Sequence, residues 1–220
     1  MIDGGGNSDQ LFGGLGDDKI YGDSSGKTDN EFHVELAYHG TDYLDGEDGE
    51  YGDDYLEGGG KDDTLYGGAG KDSLWGDTSA DNIASPTDNA AMWGDDYLDG
   101  EDGDDELVGG GKDDTLYGGK DDDKLFGDQQ SIALAAEFQG VDYLNGGDGN
   151  DYLEGGGKGD TLIGGAGNDN MWGDTSADNI ASTSDNAAMW GADYLDGEAG
   201  DTVRTTYYKF RSCLRSYLLG

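Results

Sequence analysis

Residues 100–126 decide the fold, because they hold three nine-residue units in phase: GEDGDDELV, GGGKDDTLY and GGKDDDKLF. Glycine opens each unit, aspartate stands at position 6 and leucine stands at position 8. The same register holds over residues 4 to about 201. So fixed a period indicates a solenoid in which each unit adds a layer to a common core.

Position 6 carries the charge of the repeat. Glycine at positions 1, 2 and 4 permits a tight turn whose carbonyl oxygens point inward. Calcium binds six to eight oxygens, from carboxylates and carbonyls alike. Each unit therefore offers the kinds of oxygen that suit calcium. The position-6 carboxylates are Asp9, Asp18, Asp42, Asp54, Asp63, Asp72, Asp96, Asp105, Asp114, Asp123, Asp142, Asp151, Asp160, Asp169 and Asp193.

Positions 7 to 9 predict a short strand. Side chains alternate along a strand, so position 8 enters the core while positions 7 and 9 face outward. The outward positions are often aromatic, at Phe12, Tyr21, Tyr43, Tyr55, Tyr66, Trp75, Tyr97, Tyr117, Phe126, Tyr143, Tyr152, Trp172 and Tyr194.

The pattern G-G-x-G-x-D-x-U-x, with U a large aliphatic residue, resembles the calcium-binding nonapeptide of the RTX (repeats-in-toxin) haemolysin-type family. More than ten copies in phase make the resemblance specific. It implies an all-β, right-handed parallel β-roll of about eight two-strand coils, with loops n and n+2 stacked on one edge. It also implies several Ca²⁺ ions between stacked loops, held by the position-6 aspartates and by the carbonyls of Gly13, Gly67, Gly100, Gly118, Gly146 and Gly164.

Four loops are much longer than the rest: 22–42, 76–96, 127–142 and 173–193. Three ordinary loops separate each pair, so all four fall on one edge, here called edge one. Its short loops carry Lys61, Lys112 and Lys158 at position 4, either as solvated charges or as cations that reach an aspartate of a long loop and replace an ion. Edge two has only compact loops. We therefore predict an unbroken calcium ladder on edge two and a modified one on edge one.

Composition limits the partners. Asp and Glu number 50 against 12 Lys and Arg, for a net charge of −38. Proteins that bind nucleic acids or anionic membrane surfaces rely on Lys and Arg for their affinity, so this acidic composition disfavours both as partners. No apolar run is long enough for a membrane span. Because the acidic loops repel one another until cations neutralise them, we expect calcium to drive folding.

The sequence favours no enzyme. Its only histidines, His33 and His39, lie in one unrepeated loop, and carboxylate pairs are too common to mark a site. One hypothesis is a structural module of a secreted, extracellular RTX protein, exported by type I secretion and joined to neighbouring domains. The other is a glycan-binding or adhesion module that uses the long loops, with contacts at Met92, Trp93, Met189 and Trp190. These four side chains have a second interpretation, in which they fold their own loop back onto the sheet. Outward aromatics would also support self-association.

The domain boundary falls where composition inverts. Residues 1–202 are expected to form the roll, a fragment of a larger array with about four blocks of four nonapeptides. Residues 203–220 contain four basic residues, no acid and the only cysteine, Cys213. This tail is either a frameshifted or vector-derived end, or a cap over the open end of the roll.

Overall fold

The structure is a computed structural model, and it describes residues 1–23, 39–47, 52–77, 93–128, 134, 137–174, 194–197 and 202–204. Seventeen strands in these residues form two parallel sheets, and successive strands alternate between them. The odd sheet consists of β1 (Ile2–Gly5), β3 (Lys19–Asp23), β5 (Tyr55–Gly59), β7 (Ser73–Asp77), β9 (Glu106–Gly110), β11 (Lys124–Asp128), β13 (Tyr152–Gly156), β15 (Asn170–Asp174) and β17 (Thr202–Arg204). The even sheet consists of β2 (Gln10–Phe12), β4 (Tyr43–Asp45), β6 (Thr64–Ala69), β8 (Tyr97–Asp102), β10 (Thr115–Lys120), β12 (Tyr143–Asp148), β14 (Thr161–Ala166) and β16 (Tyr194–Asp196).

Each strand pairs in parallel with the strands two places before and after it in the chain. The register matches like positions: Leu116 of β10 stands opposite Leu98 of β8 and Leu144 of β12. Two units therefore complete one coil, and eight coils precede β17. The predicted parallel β-roll is confirmed.

The core is a double column of position-8 side chains between the two sheets. Its members are fully buried: Ile20, Leu44, Leu56, Leu65, Leu74, Leu98, Leu107, Leu116, Leu125, Leu144, Leu153, Leu162 and Met171. Ile2, Leu11 and Leu195 are only partly buried, because each belongs to one of the outermost described coils.

Most position-7 and position-9 side chains are half-exposed, as predicted. Three position-9 residues of the odd sheet are exceptions, since Glu57, Val108 and Glu154 are at most 3% exposed. Each stands in register between two large rings; Val108, for example, lies between Trp75 and Phe126. The taller neighbours cover the shorter side chain.

Two details differ from the expectation. Most strands have five or six residues rather than three, because the ladder continues into the next loop, where Gly119 of β10 pairs with Gly147 of β12. The last strand also ends at Arg204, two residues beyond the expected boundary at 202, with Val203 in register with Met171. Residues 205–220 lie outside the described residues.

The core column gives a first prediction. Leu116→Ala is expected to lower the unfolding free energy of the calcium-loaded roll by about 2–5 kcal/mol, because it leaves a cavity between two close-packed sheets. Urea denaturation in excess calcium measures the change, with Thr115→Ala on the outer face as the control. Equal losses of stability from the two substitutions would contradict a core packed from position-8 side chains.

Candidate metal centre

The position-6 aspartates form two continuous ladders, one along each edge. In every step the backbone N–H of one aspartate donates to Oδ1 of the aspartate one coil further on, as from Asp63 to Asp96 (2.7 Å) and from Asp72 to Asp105 (2.7 Å). Edge one contains Asp9, Asp42, Asp63, Asp96, Asp114, Asp142 and Asp160. Edge two contains Asp18, Asp54, Asp72, Asp105, Asp123, Asp151 and Asp169. The structure thus brings these residues together on the predicted edges, while Asp193 lies outside the described residues.

The second carboxylate oxygen, Oδ2, is buried in most of these aspartates and accepts no hydrogen bond. Leaving a buried carboxylate oxygen without a donor is costly, and such atoms are rare in folded proteins. A cation beside Oδ2 would remove this cost. Ten of these oxygens belong to Asp9, Asp42, Asp63, Asp72, Asp96, Asp105, Asp114, Asp123, Asp142 and Asp151.

All of these oxygens except that of Asp114 converge with a backbone carbonyl of the next coil. A Cβ added to Gly118 would lie 2.4 Å from Asp123 Oδ2 and 2.5 Å from the Gly146 carbonyl oxygen. On edge one, a Cβ on Gly58 would lie 2.4 Å from Asp63 Oδ2 and 2.5 Å from the Gly76 carbonyl oxygen. The glycine at position 1 therefore keeps open a space, bordered by two oxygens, that any side chain would fill.

The carbonyls expected from sequence are largely in this position. Those of Gly67, Gly100, Gly118, Gly146 and Gly164 each approach the first glycine of the preceding coil on edge two. The Gly13 carbonyl is not placed in this way; a Cβ on Gly13 would instead meet the Gly46 carbonyl at 2.9 Å. Sequence reasoning missed the equivalent carbonyls on edge one, although the same glycine signal marks them. They belong to Gly22, Gly58, Gly76, Gly109, Gly155 and Gly173.

Burial makes the ladder carboxyls hard to ionise in the absence of a cation. Burial, with help from the nearby Asp96 carboxylate, raises the pKa of Asp63 to about 10. Burial likewise raises the pKa of Asp105 and of Asp123 to about 8. Carboxylates and carbonyls in this setting are the oxygen ligands that Ca²⁺ prefers. The described residues contain no group of three or more His, Cys, Asp or Glu side chains around one point.

A second ladder, exposed to solvent, runs along the edges at position 5. Here the direction is reversed: the N–H of the later coil donates to Oδ1 of the earlier one, as from Asp122 to Asp104 (3.1 Å) and from Asn150 to Asp122 (2.8 Å). These carboxylates stabilise loop stacking without facing the buried space. Positions 5 and 6 therefore differ in role, although both are commonly aspartate.

Edge one differs from edge two at the necks of the long loops, where the chain leaves and re-enters the roll. Each described neck contains a further buried aspartate. Asp77 Oδ1 accepts the N–H of Gly94 (3.0 Å), and Asp77 Oδ2 accepts that of Gly111 in the next coil (2.8 Å). The same closure recurs through Asp128 with Gly140 (3.0 Å) and Gly157 (2.6 Å), and through Asp23 with Gly40 (3.3 Å). The Gly-Asp opening of the long loops thus closes their bases, which the sequence pattern alone did not reveal.

Trp93 and Lys61, two edge-one residues singled out from the sequence, both contact a long loop. Trp93 is 1% exposed and packs against Phe138 of the next long loop, with ring centroids 6.3 Å apart. It therefore folds back onto the roll and is not presented to a glycan; Met92, Met189 and Trp190 lie outside the described residues. Lys61 is exposed, and its Nζ donates to the His39 carbonyl oxygen of the adjoining long loop; among the described residues it bonds no aspartate.

The comparison with family models agrees with this geometry. The RTX calcium-binding nonapeptide repeat matches residues 1–25, 48–83, 91–107, 99–131, 138–169, 154–186 and 188–203, well over half of the chain. The chain belongs to this family. As an RTX repeat array it binds several calcium ions. None of the curated proteins compared with it matches. No helix of the described residues is long and apolar enough to cross a membrane.

Adjacent aspartates provide a matched test of the RTX ladder. Asp123→Asn keeps an Oδ1 acceptor for Asp105 but removes the buried charge, so the calcium-loaded roll should lose about 2 kcal/mol of stability. Asp122→Asn removes a charge one residue away that faces solvent, and the stability should not change. Calcium titration calorimetry and urea denaturation measure both variants. Equal losses would show that charge number, rather than the buried oxygen, matters.

Proton competition gives a further prediction. Because the folded-state pKa values of Asp105 and Asp123 are raised to about 8, protons stabilise the metal-free fold as the pH falls from there toward 4. From a folded metal-free roll, calcium must displace these protons, and its affinity would fall by about tenfold per pH unit for each carboxyl that is displaced. From an unfolded chain, whose carboxyls are already ionised at neutral and mildly acidic pH, calcium displaces few protons. Calcium titrations at pH 7.5, 6.5 and 5.5 therefore test whether the metal-free chain is folded: a nearly constant affinity is expected for calcium-driven folding, and a fall of about tenfold per pH unit would contradict it.

The predicted difference in ion occupancy between the edges also remains to be measured. The position-6 carboxylates are continuous on both edges, so a difference would come from the long loops and from their buried neck aspartates. Anomalous scattering from lanthanide-soaked crystals locates each ion. A full row on edge two and fewer ions on edge one is expected, whereas two equal rows would contradict the asymmetry.

Proposed function

We propose that this RTX array is a structural module of a secreted protein and that its roll forms only when calcium binds after export. The buried Oδ2 atoms carry the proposal. In most described coils an ionised carboxylate would stand beside those of the coils above and below, with no donor facing its Oδ2. Without cations, the edges can close only if these carboxylates repel one another or take up protons, and either cost opposes folding at neutral pH.

The position-6 aspartates and position-1 carbonyls are the proposed ligands on both edges. At most steps of the described ladders a carboxylate oxygen and a carbonyl oxygen face one space, and further oxygens would complete the shell. When bound, calcium supplies the positive charge that the buried carboxylates lack. The protein side holds the oxygens in place, through the N–H to Oδ1 ladder and through the core column behind it.

The location of the protein follows from calcium concentration. Extracellular calcium modules bind at about 10⁻⁴–10⁻³ M, which cytosolic calcium does not reach. The chain would then remain unfolded until it leaves the cell. We propose type I secretion as the export route, because an unfolded, acidic chain suits a narrow channel.

We propose no catalytic role for the array. His39, the one histidine among the described residues, is 7% exposed, and its Nδ1 lies 3.0 Å from Asp23 Oδ2. Both side chains are buried at the base of a long loop, where they serve its closure. Enzymatic activity would belong to other domains of the parent protein.

Circular dichroism against calcium concentration tests the proposal. The spectrum should change from disordered to β-rich with a midpoint of about 10⁻⁴–10⁻³ M calcium. Magnesium at equal concentration should not replace calcium, because it demands a smaller and stricter octahedral shell. A complete β spectrum in excess chelator would refute calcium-driven folding.

A further inference from the structure

The outer face of the even sheet repeats with a period of two coils. At position 7, tyrosine and threonine alternate in register without a break across seven coils. This row consists of Tyr43, Thr64, Tyr97, Thr115, Tyr143, Thr161 and Tyr194. At position 9, large apolar residues alternate with acids or an amide, in the row Phe12, Asp45, Tyr66, Asp99, Tyr117, Asn145, Ile163 and Asp196.

The rings of the two rows interleave into one continuous ladder along the roll. Successive ring centroids from Phe12 to Tyr143 are 5.6–5.9 Å apart, at interplanar angles of 44–52°. Within one row, rings recur every second coil, roughly 10 Å apart at the usual strand spacing. Phe12 is 48% exposed and the tyrosines that follow it are half-exposed. The face is therefore an aromatic strip with a fixed pitch.

Polar groups recur along the strip with the same pitch. The hydroxyls of Tyr43 and Tyr97 donate to Oδ2 of Asp45 and Asp99, at 3.1 and 3.2 Å. These bonds fix the ring orientation. The threonine hydroxyls and the second carboxylate oxygens stand beside the rings at regular intervals.

The fold does not require this regularity. The nonapeptide constrains position 8 for the core and leaves positions 7 and 9 free. The odd sheet shows the difference: its aromatic contacts within the described residues are the separate pairs Tyr21–Tyr55 and Phe126–Tyr152. On the odd sheet, Glu106 and Val108 of β9 interrupt the row of aromatic rings, whereas the rings of the even sheet continue past the same level.

Charge limits what the strip can bind. Positions 7 and 9 of the even strands hold the carboxylates of Asp45, Asp99 and Asp196 and no Lys or Arg. The edges on both sides are acidic as well. Anionic polymers are therefore repelled, and a second copy would set the same carboxylates against its own.

We propose that the outer face of the even sheet binds an uncharged, extended polysaccharide that lies along the roll axis. Aromatic faces pack against the C–H faces of pyranose rings. The carboxylates accept hydrogen bonds from sugar hydroxyls, and the threonine hydroxyls donate or accept them. The strip repeats every two coils, a distance close to the length of a disaccharide. A polymer of identical sugar units would therefore meet the same groups at every repeat of the strip. No long-loop residue takes part, so this site differs from the glycan site expected from sequence.

The experiment uses the calcium-loaded chain and four probes: cellulose, chitin, and the β-1,4-linked hexasaccharides of glucose and N-acetylglucosamine. Tyr97→Ala/Tyr117→Ala removes two rings from the strip. Tyr55→Ala/Tyr152→Ala removes two rings from the odd sheet and is the matched control. We expect the unmodified chain and the control to bind at least one probe equally, and the strip variant to bind at least about tenfold more weakly.

Three results would overturn the proposal: no probe binds the unmodified chain, the strip variant binds as well as the unmodified chain, or the strip supports only a dimer. Sedimentation of the chain and the strip variant without sugar detects the third case. If the strip variant loses its calcium response, Thr115→Arg provides the test, since it obstructs the strip and removes no ring; the same weakening is expected. Calcium-dependent circular dichroism is recorded for every variant, so failure of sugar binding is separable from failure of calcium-driven folding.

Discussion

Loop stacking in the roll rests on a buried aspartate carboxylate that, in most of the described loops, has only one of its two oxygens satisfied. Oδ1 accepts a backbone N–H from the neighbouring coil, which fixes the stacking of loops. Oδ2 lies over a glycine and beside a carbonyl, where another oxygen rather than a donor faces it. The hydrogen-bond ladder therefore aligns the coils, while the unsatisfied oxygens resist their approach. A divalent cation resolves this conflict, because it joins the oxygens that would otherwise repel.

A second kind of buried carboxylate, at the base of each described long loop, explains how the roll accommodates these loops. A long loop must return its chain to the ladder within one coil spacing. Asp77 achieves this by holding the N–H of Gly94 on one oxygen and the N–H of Gly111 on the other. These two hydrogen bonds join the ends of the long loop to each other and to the next coil. The structure of the neck therefore does not depend on the length of the loop beyond it. This accounts for necks of the same form below loops of different length, such as 77–94 and 128–140.

Much of the architecture could be predicted because the nonapeptide encodes it locally. Position 6 identified the ladder aspartates that the structure describes, and position 8 identified the core column from Ile20 to Met171. The neck aspartates could not be assigned, since Asp77 and Asp128 lie outside the nonapeptide register and their partners are distant in sequence. Glu57 is buried because of Tyr21 and Trp75 beside it in register, a relation that no single repeat shows. Trp93 packs on Phe138 of another loop, so its burial was equally beyond a local pattern.

Small-angle X-ray scattering during a calcium titration shows whether calcium alone closes the roll, because it measures chain dimensions. We expect an expanded chain in chelator, with a radius of gyration approaching the roughly 50 Å of an unfolded chain of this length. On addition of calcium, the chain should contract cooperatively to the dimensions of a short rod. A compact rod in chelator, unchanged by calcium, would show that the unsatisfied carboxylate oxygens do not control folding.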